Sequence, residues 1–205
     1  NYHFGDKQGL YSEVMAFAFR VALERYPFPR PEEHRSPADR LAAFIRTFVA
    51  RILDHEGRPA WHGQLMAREM IEPTGALDRL ADEFMRPQHR LMGEIVAELL
   101  GSGASPERVR LCCSSIIGQC VFYKHARPVI DRLMPEQRFD ADGRTEIASH
   151  ITAFSLAAIG VLRSAPHQTL AHPQAQAAAQ GSGGVSGDPV PTPGTPPVSL
   201  SGGRP

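Results

Sequence analysis

The sequence lacks an excess of charge of either sign: 22 Lys and Arg residues are matched by 22 Asp and Glu residues over 205 positions. A protein that grips nucleic acid with its whole surface carries a basic surplus to neutralise phosphates. Any nucleic-acid contact is therefore expected to be local, or to involve a basic part that precedes this sequence. Cysteine is scarce, with Cys112, Cys113 and Cys120 clustered in one segment. An odd number with two adjacent members, a spacing at which a disulfide is strained, reads as small apolar core thiols in a reducing compartment. Oxidant sensing is the alternative role for these thiols, but nothing beside them in sequence lowers a thiol pKa. Long apolar runs are also missing. With no stretch of about eighteen such residues, no membrane span is expected and a cytoplasmic location follows. The polar and aromatic first nine residues contain no signal-peptide core.

Catalytic signatures are equally sparse. The nine histidines form neither the His-Glu-x-x-His of zinc proteases nor the Glu-x-x-His of di-iron bundles. Glu69 and Glu72 share a helical face without a histidine at the needed spacing. Glu146 and His150 are four apart, the spacing of a helix-surface hydrogen bond. No Gly-x-Ser-x-Gly elbow or phosphate-cradling loop occurs, and Ser114 and Ser115 beside Cys113 form no nucleophile arrangement. The reading is a non-enzyme with no metal and no cofactor.

What the chain does have is helix signals in succession. Leu10, Val14, Phe17 and Val21 recur at spacings of four, three and four, behind a capping Asp6 and ahead of Pro27. Ser36-Pro37-Ala38-Asp39 opens a second helix carrying Leu41, Phe44, Ile45, Phe48 and Ile52, expected to close near Gly57. A shorter helix is predicted over Trp61–Ile71, stopped by Pro73. Thr74 is placed to cap a long helix with Leu77, Leu80, Phe84, Leu91, Ile95 and Leu99, in which Pro87 predicts a kink. Ser105-Pro106-Glu107 begins another, through Val109, Cys113, Ile116, Ile117, Cys120 and Val121 to His125. A last helix is expected over Arg144–Leu162, with Ile147, Ile151, Phe154 and Ile159 apolar. No segment alternates with period two, so the fold class is all-α. From Ala165 onward the composition changes: residues 165–205 hold eight of the 18 prolines and seven of the 18 glycines, with no aromatic residue. Such a segment buries too little apolar surface to offset the entropy of ordering it, and reads as a disordered tail.

The opening residues Tyr2-His3-Phe4-Gly5-Asp6-Lys7-Gln8-Gly9-Leu10-Tyr11 resemble the end of the helix-turn-helix in TetR-family transcriptional regulators. That pattern is an aromatic, His-Phe, a Gly-containing turn, Lys, a small residue and Leu. The resemblance implies that residues 1–27 are the end of the DNA-reading head and its connecting helix, that Tyr2, His3 and Lys7 meet DNA phosphates, and that Phe4 and Leu10 tie head to body. The head is then expected to be incomplete, with its first two helices and most of the recognition helix preceding Asn1. The segments Arg58–Ile71, Met85–His89 and Ile147–Ile159 are similar to one C-terminal branch of that family, the CecR-like branch. The body, 36–164, is thereby implied to be a helical ligand-binding and dimerisation domain.

In this resemblance, the helices over Ser105–His125 and Arg144–Leu162 form a four-helix homodimer interface, with Ile116, Cys120, Ile151, Phe154, Ser155 and Ala158 as its residues. The small side chains of Ala153, Ser155, Ala157, Ala158 and Gly160 allow close helix approach. A small apolar or aromatic effector is expected between the central helices, lined by Trp61, His62, Met66, Met70, Phe84, His89, Met92, Gln119, Phe122 and Tyr123. The function so implied is that of a ligand-responsive repressor whose effector alters affinity for operator DNA. The alternative is a stand-alone small-molecule-binding or protein-interaction module without DNA binding.

Overall fold

The computed structural model describes residues 6–30, 36–54 and 60–164. Helices α1 (Lys7–Arg25), α2 (Pro37–Leu53), α3 (Ala60–Ile71) and α4 (Gly75–Leu80) are followed by a π turn (Ala81–Met85), then α5 (Arg86–Leu100), α6 (Pro106–His125), α7 (Arg127–Leu133) and α8 (Ala141–Ser164). No strand occurs among the described residues, and the all-α expectation holds. Phe4, Tyr2, His3 and the segment 165–205 lie outside the described residues, as does the side chain of His62.

The helix starts are local chemistry. The Asp6 carboxylate accepts from the Gly9 N–H at 2.7 Å, Ser36 Oγ from Asp39 at 3.1 Å and Ser105 Oγ from Arg108 at 3.2 Å. Each satisfies an N–H that the first helical turn leaves without an internal partner. Pro37 and Pro106 occupy first-turn positions, where the missing N–H costs nothing. α2 ends at Leu53, with Asp54 already extended, earlier than the expected Gly57. α8 begins at Ala141 because Asp140 Oδ1 accepts from the Gly143 N–H at 2.9 Å. Gly143 is required there: a Cβ would stand 2.3 Å from the Arg138 carbonyl oxygen. Helix α7 was not expected from periodicity. It is a single short stretch with Pro128 in its first turn and an Arg127–Asp131 pair at 2.7 Å along it.

The main core is built around α2, which packs along α8 and against α5 and α6. Leu41, Phe44, Ile45, Val49 and Leu53 meet Met92, Ile95, Val96 and Leu100 of α5, Cys113, Ile116 and Cys120 of α6, and Ile147, Ile151 and Ile159 of α8. A second, smaller cluster joins α1 to α4 and the π turn through Met15, Ala16, Leu80 and Phe84. Phe19 stacks on Phe84 with ring centroids 5.3 Å apart.

In α1 the buried face is not the anticipated one. Met15, Ala16, Ala18 and Ala22 turn inward, Val14 and Val21 are half-buried, and Leu10 and Phe17 are exposed, Phe17 by 55%. Apolar residues occupy every side of this helix, so periodicity alone did not select one; the small alanines allow the closest approach and win. Leu10 therefore contributes little to this body. By length and composition α8 is apolar enough to cross a membrane. Its inner face, Ile147, Ala148, Ile151, Ser155 and Ile159, lies in the core, while Phe154 and Val161 are 59% and 71% exposed.

Burial predicts the response to truncation. Leu41→Ala, at a position with no exposure, is expected to lower unfolding free energy by about 2–5 kcal/mol. Ile71→Ala, at a position 80% exposed, is expected to change it by no more than about 0.5 kcal/mol. Urea unfolding of the two variants at equal protein concentration measures both.

Candidate functional site

Where α1 meets the body, four helices are tied by polar groups around the buried Arg51 and Asp54. Arg51, on the face of α2 that carries Phe44 two turns earlier, is buried. Its Nη2 and Nε donate to the Tyr26 carbonyl at 2.7 and 3.2 Å, and Nη1 donates to Gln88 Oε1 at 2.9 Å. The Phe28 ring covers the guanidinium at 4.5 Å. Gln88 Nε2 in turn donates to the Phe84 carbonyl at 2.9 Å. One turn after Arg51, the buried Asp54 carboxylate accepts from the Tyr26 hydroxyl and faces Arg25 at 2.9 Å and Arg144 at 3.4 Å.

The π turn explains why the helix survives Pro87. Proline lacks an N–H, and its ring collides with the carbonyl four residues back in an α-helix. Here the Arg86 N–H reaches the Ala81 carbonyl, five residues back. That widened turn displaces the carbonyls ahead of Pro87, and the Gln88 side chain takes up the Phe84 oxygen. The expected kink is thus a π turn, held by a hydrogen-bond chain that runs from Phe84 through Gln88 and Arg51 to the end of α1.

A second carboxylate joins α1 to α3 and α4. Glu69 is buried on α3; its Oε2 accepts from the Thr74 N–H at 3.0 Å and its Oε1 from the Thr74 hydroxyl at 3.0 Å. Thr74 Oγ1 meanwhile accepts from Ala76 at 3.2 Å, opening α4. Burial pushes the Glu69 pKa up, but the Thr74 N–H and the neighbouring hydroxyl and amide donors outweigh it, and the net direction is down. The Tyr11 hydroxyl of α1 is buried against this carboxylate without a well-aligned bond. Burial first, then Glu69, raise the Tyr11 pKa. On the outer side, Arg79 of α4 pairs with Glu13 of α1 at 2.8 Å.

The residues anticipated around one effector cavity fall in four places. Met66 and Phe84 belong to the α1–α4 cluster. Met92 is fully buried in the main core, where it packs the protomer. Trp61, Met70 and His89 face outward, Met70 by 60%. Gln119, Phe122 and Tyr123 line an open hollow of about 350 Å³ with Gly118, His150 and Ile151, on the outer surface of α6 and α8. Gln119 Nε2 donates to the Ser115 carbonyl of its own helix at 3.3 Å. Lys7, in the first turn of α1, is exposed.

The anticipated interface residues divide in the same way. Ile116, Cys120, Ile151 and Ser155 point into the protomer and are buried there; the Ser155 hydroxyl has no partner. Phe154 and Ala158 point outward. With them, Leu111, Ser114, Ser115, Gly118 and Phe122 of α6 and Ala157 and Val161 of α8 present exposed stripes at spacings of three and four. Arg51, Asp54, Glu69 and Gln88 were missed. A charge on an apolar helical face, such as Arg51 two turns from Phe44, was the available signal.

All three thiols are buried and reduced. Burial pushes Cys112 up, Cys113 to about 11, with Cys112 beside it adding to the effect, and Cys120 to about 12. The thiolate, the reactive form, is suppressed in all three.

The family model of the HTH-type transcriptional dual regulator CecR, C-terminal domain, matches residues 37–159, from the first turn of α2 into the last turns of α8. The chain belongs to this family of TetR-type regulators. No curated protein matches the chain.

Two outcomes follow from this chemistry. A carboxylate with a depressed pKa stabilises the fold above its ordinary range and ceases to do so as pH falls through the folded value. Glu69→Gln is therefore expected to cost about 1–3 kcal/mol at neutral pH, with the gap to the parent protein closing as acidification protonates Glu69. Denaturant titrations across acidic pH test this, and a gap independent of pH would refute it. The thiols are expected to react with a disulfide reagent at pH 8 at least roughly tenfold more slowly in the native protein than in urea, and thiol release kinetics measure the difference.

Proposed function

We propose that this chain is the sensing and dimerising body of a TetR-type regulator that represses transcription when bound to operator DNA and releases it on binding a small apolar or aromatic effector. The observation that carries the dimer is the pair of exposed stripes on adjacent helices, Leu111 to Phe122 and Phe154 to Val161. Water-exposed aromatic and aliphatic side chains flanked by small residues suit close packing of four helices about a twofold axis. The interface is therefore assigned to these outward residues. Ile116, Cys120, Ile151 and Ser155 support it from behind.

The effector acts on the α1–α4 cluster. Met15, Met66 and Met85, with Phe19 and Phe84, form an adaptable apolar surface that re-packs around a guest at low cost. A guest beside Phe84 disturbs the π turn whose carbonyl is bonded to Gln88, and Gln88 is bonded to Arg51, which holds Tyr26 at the end of α1. Displacement of α1 would then alter the spacing of two DNA-reading heads relative to successive major grooves. Coupling of this kind requires that the effector bind one arrangement better than the other.

Sedimentation equilibrium tests the dimer. Phe154→Glu is expected to weaken self-association by roughly 30-fold or more, the scale of a buried aromatic anchor, whereas Leu133→Glu on α7 leaves it unchanged. A monomeric parent chain, or a dimer indifferent to Phe154→Glu, overturns the assignment. The regulatory reading is tested by gel shift of the complete gene product on its own promoter. An effector that binds free and DNA-bound protein equally well would end it.

A further inference from the structure

The stretch after α1 borders an open cavity of about 450 Å³, lined by none of the residues of the α1–α4 cluster or of the exposed stripes. Arg25, Tyr26, Pro27, Phe28, Pro29 and Arg30 form one wall, and Ala43, Arg46 and Thr47 of α2 the other. We propose that this cavity is a separate ligand site for a small aromatic carboxylate.

The apolar wall is built in advance. Pro27 and Pro29 restrict the backbone on either side of Phe28, and the Phe28 ring lies on the buried Arg51 guanidinium at 4.5 Å. Arg51 also holds the Tyr26 carbonyl by two hydrogen bonds, at 2.7 and 3.2 Å. The segment is therefore pinned from below, and a planar guest meets a surface that needs little further ordering.

Both walls supply charge. Three arginines line the cavity, and Arg46, exposed on α2, makes no ion pair among the described residues. The buried Asp54 carboxylate is shared between Arg25 at 2.9 Å and Arg144 at 3.4 Å. The lining residues include three guanidiniums, those of Arg25, Arg30 and Arg46, and no carboxylate. A guanidinium presents paired N–H donors that match the two oxygens of a carboxylate, and the Thr47 hydroxyl, one residue on, offers a further donor. Apolar Pro, Phe and Ala surfaces interleaved with three arginines select for a ligand with a flat apolar ring and one negative end. Inorganic phosphate lacks the ring, and a neutral amide of the same shape lacks the charge.

The test uses the full 205-residue chain with benzoate, benzamide and inorganic phosphate as probes, followed by calorimetry and by chemical-shift changes. No DNA is present, so the outcome is independent of the regulatory reading. Saturable benzoate binding is expected, with shifts centred on Phe28 and Thr47. It should weaken about tenfold in Arg46→Ala, stay unchanged in the surface control Arg110→Ala, and exceed binding of benzamide and phosphate. Circular dichroism checks that Arg46→Ala is folded, as its exposed position favours. Absence of saturable benzoate binding, equal binding of benzamide or phosphate, or indifference to Arg46→Ala each overturns the proposal.

Discussion

A buried guanidinium is the constraint on which much of this body depends. Moving an ionised group out of water costs several kcal/mol even after relaxation, so Arg51 is tolerated only because its donors find acceptors. Those acceptors come from different parts of the chain: the Tyr26 carbonyl at the end of α1, and Gln88 on α5. Phe28 shields what remains. Asp54, one turn further on, gathers the Tyr26 hydroxyl, Arg25 and Arg144 of α8 in the same region. The C-terminal turn of α2 is thus a polar knot inside an otherwise apolar core, and it sets where α1 leaves the body.

The knot and the π turn belong to one arrangement. Pro87 forbids a regular α-helical turn, the π turn relieves the clash, and Gln88 bonds the Phe84 carbonyl while accepting from Arg51. Phe84 itself stacks on Phe19 of α1. α1 is therefore joined to this stretch twice, through an aromatic contact and through a hydrogen-bond chain. Glu69 adds a third tie by holding the start of α4 beneath Tyr11. A helix connected to its body by directional bonds moves with that body.

The two stripes on α6 and α8 show how one helix serves two purposes. Ile147, Ile151 and Ile159 fill the core while Phe154, Ala158 and Val161 face away from it. Such a helix is apolar nearly all round, which is why α8 meets the length and composition of a membrane span. Periodicity is a poor guide to residues on a helix of this kind, because no polar side marks the outward direction. Anticipated interface positions accordingly mixed inward Ile116 and Ile151 with outward Phe154 and Ala158. The same ambiguity in α1 hid the inward turn of Met15 and Ala18 behind the regular spacing of Leu10, Val14 and Phe17.

All the helices but α7 are legible in the sequence, because their signals act over three or four residues. Asp6, Ser36, Thr74 and Ser105 bond to N–H groups within their own first turns, and the prolines constrain their immediate neighbours. The resemblance of its motifs also pointed to the regulator family to which the match over residues 37–159 assigns the chain. Only the tertiary structure decided which faces turn inward, and which distant groups satisfy Arg51, Asp54 and Glu69. It also decided that the anticipated cavity residues lie in four separate places. Burial and buried hydrogen bonds are properties of pairs far apart in the chain. Gln88 and Arg51 are 37 residues apart and Arg144 and Asp54 are 90, so no local pattern records that they meet.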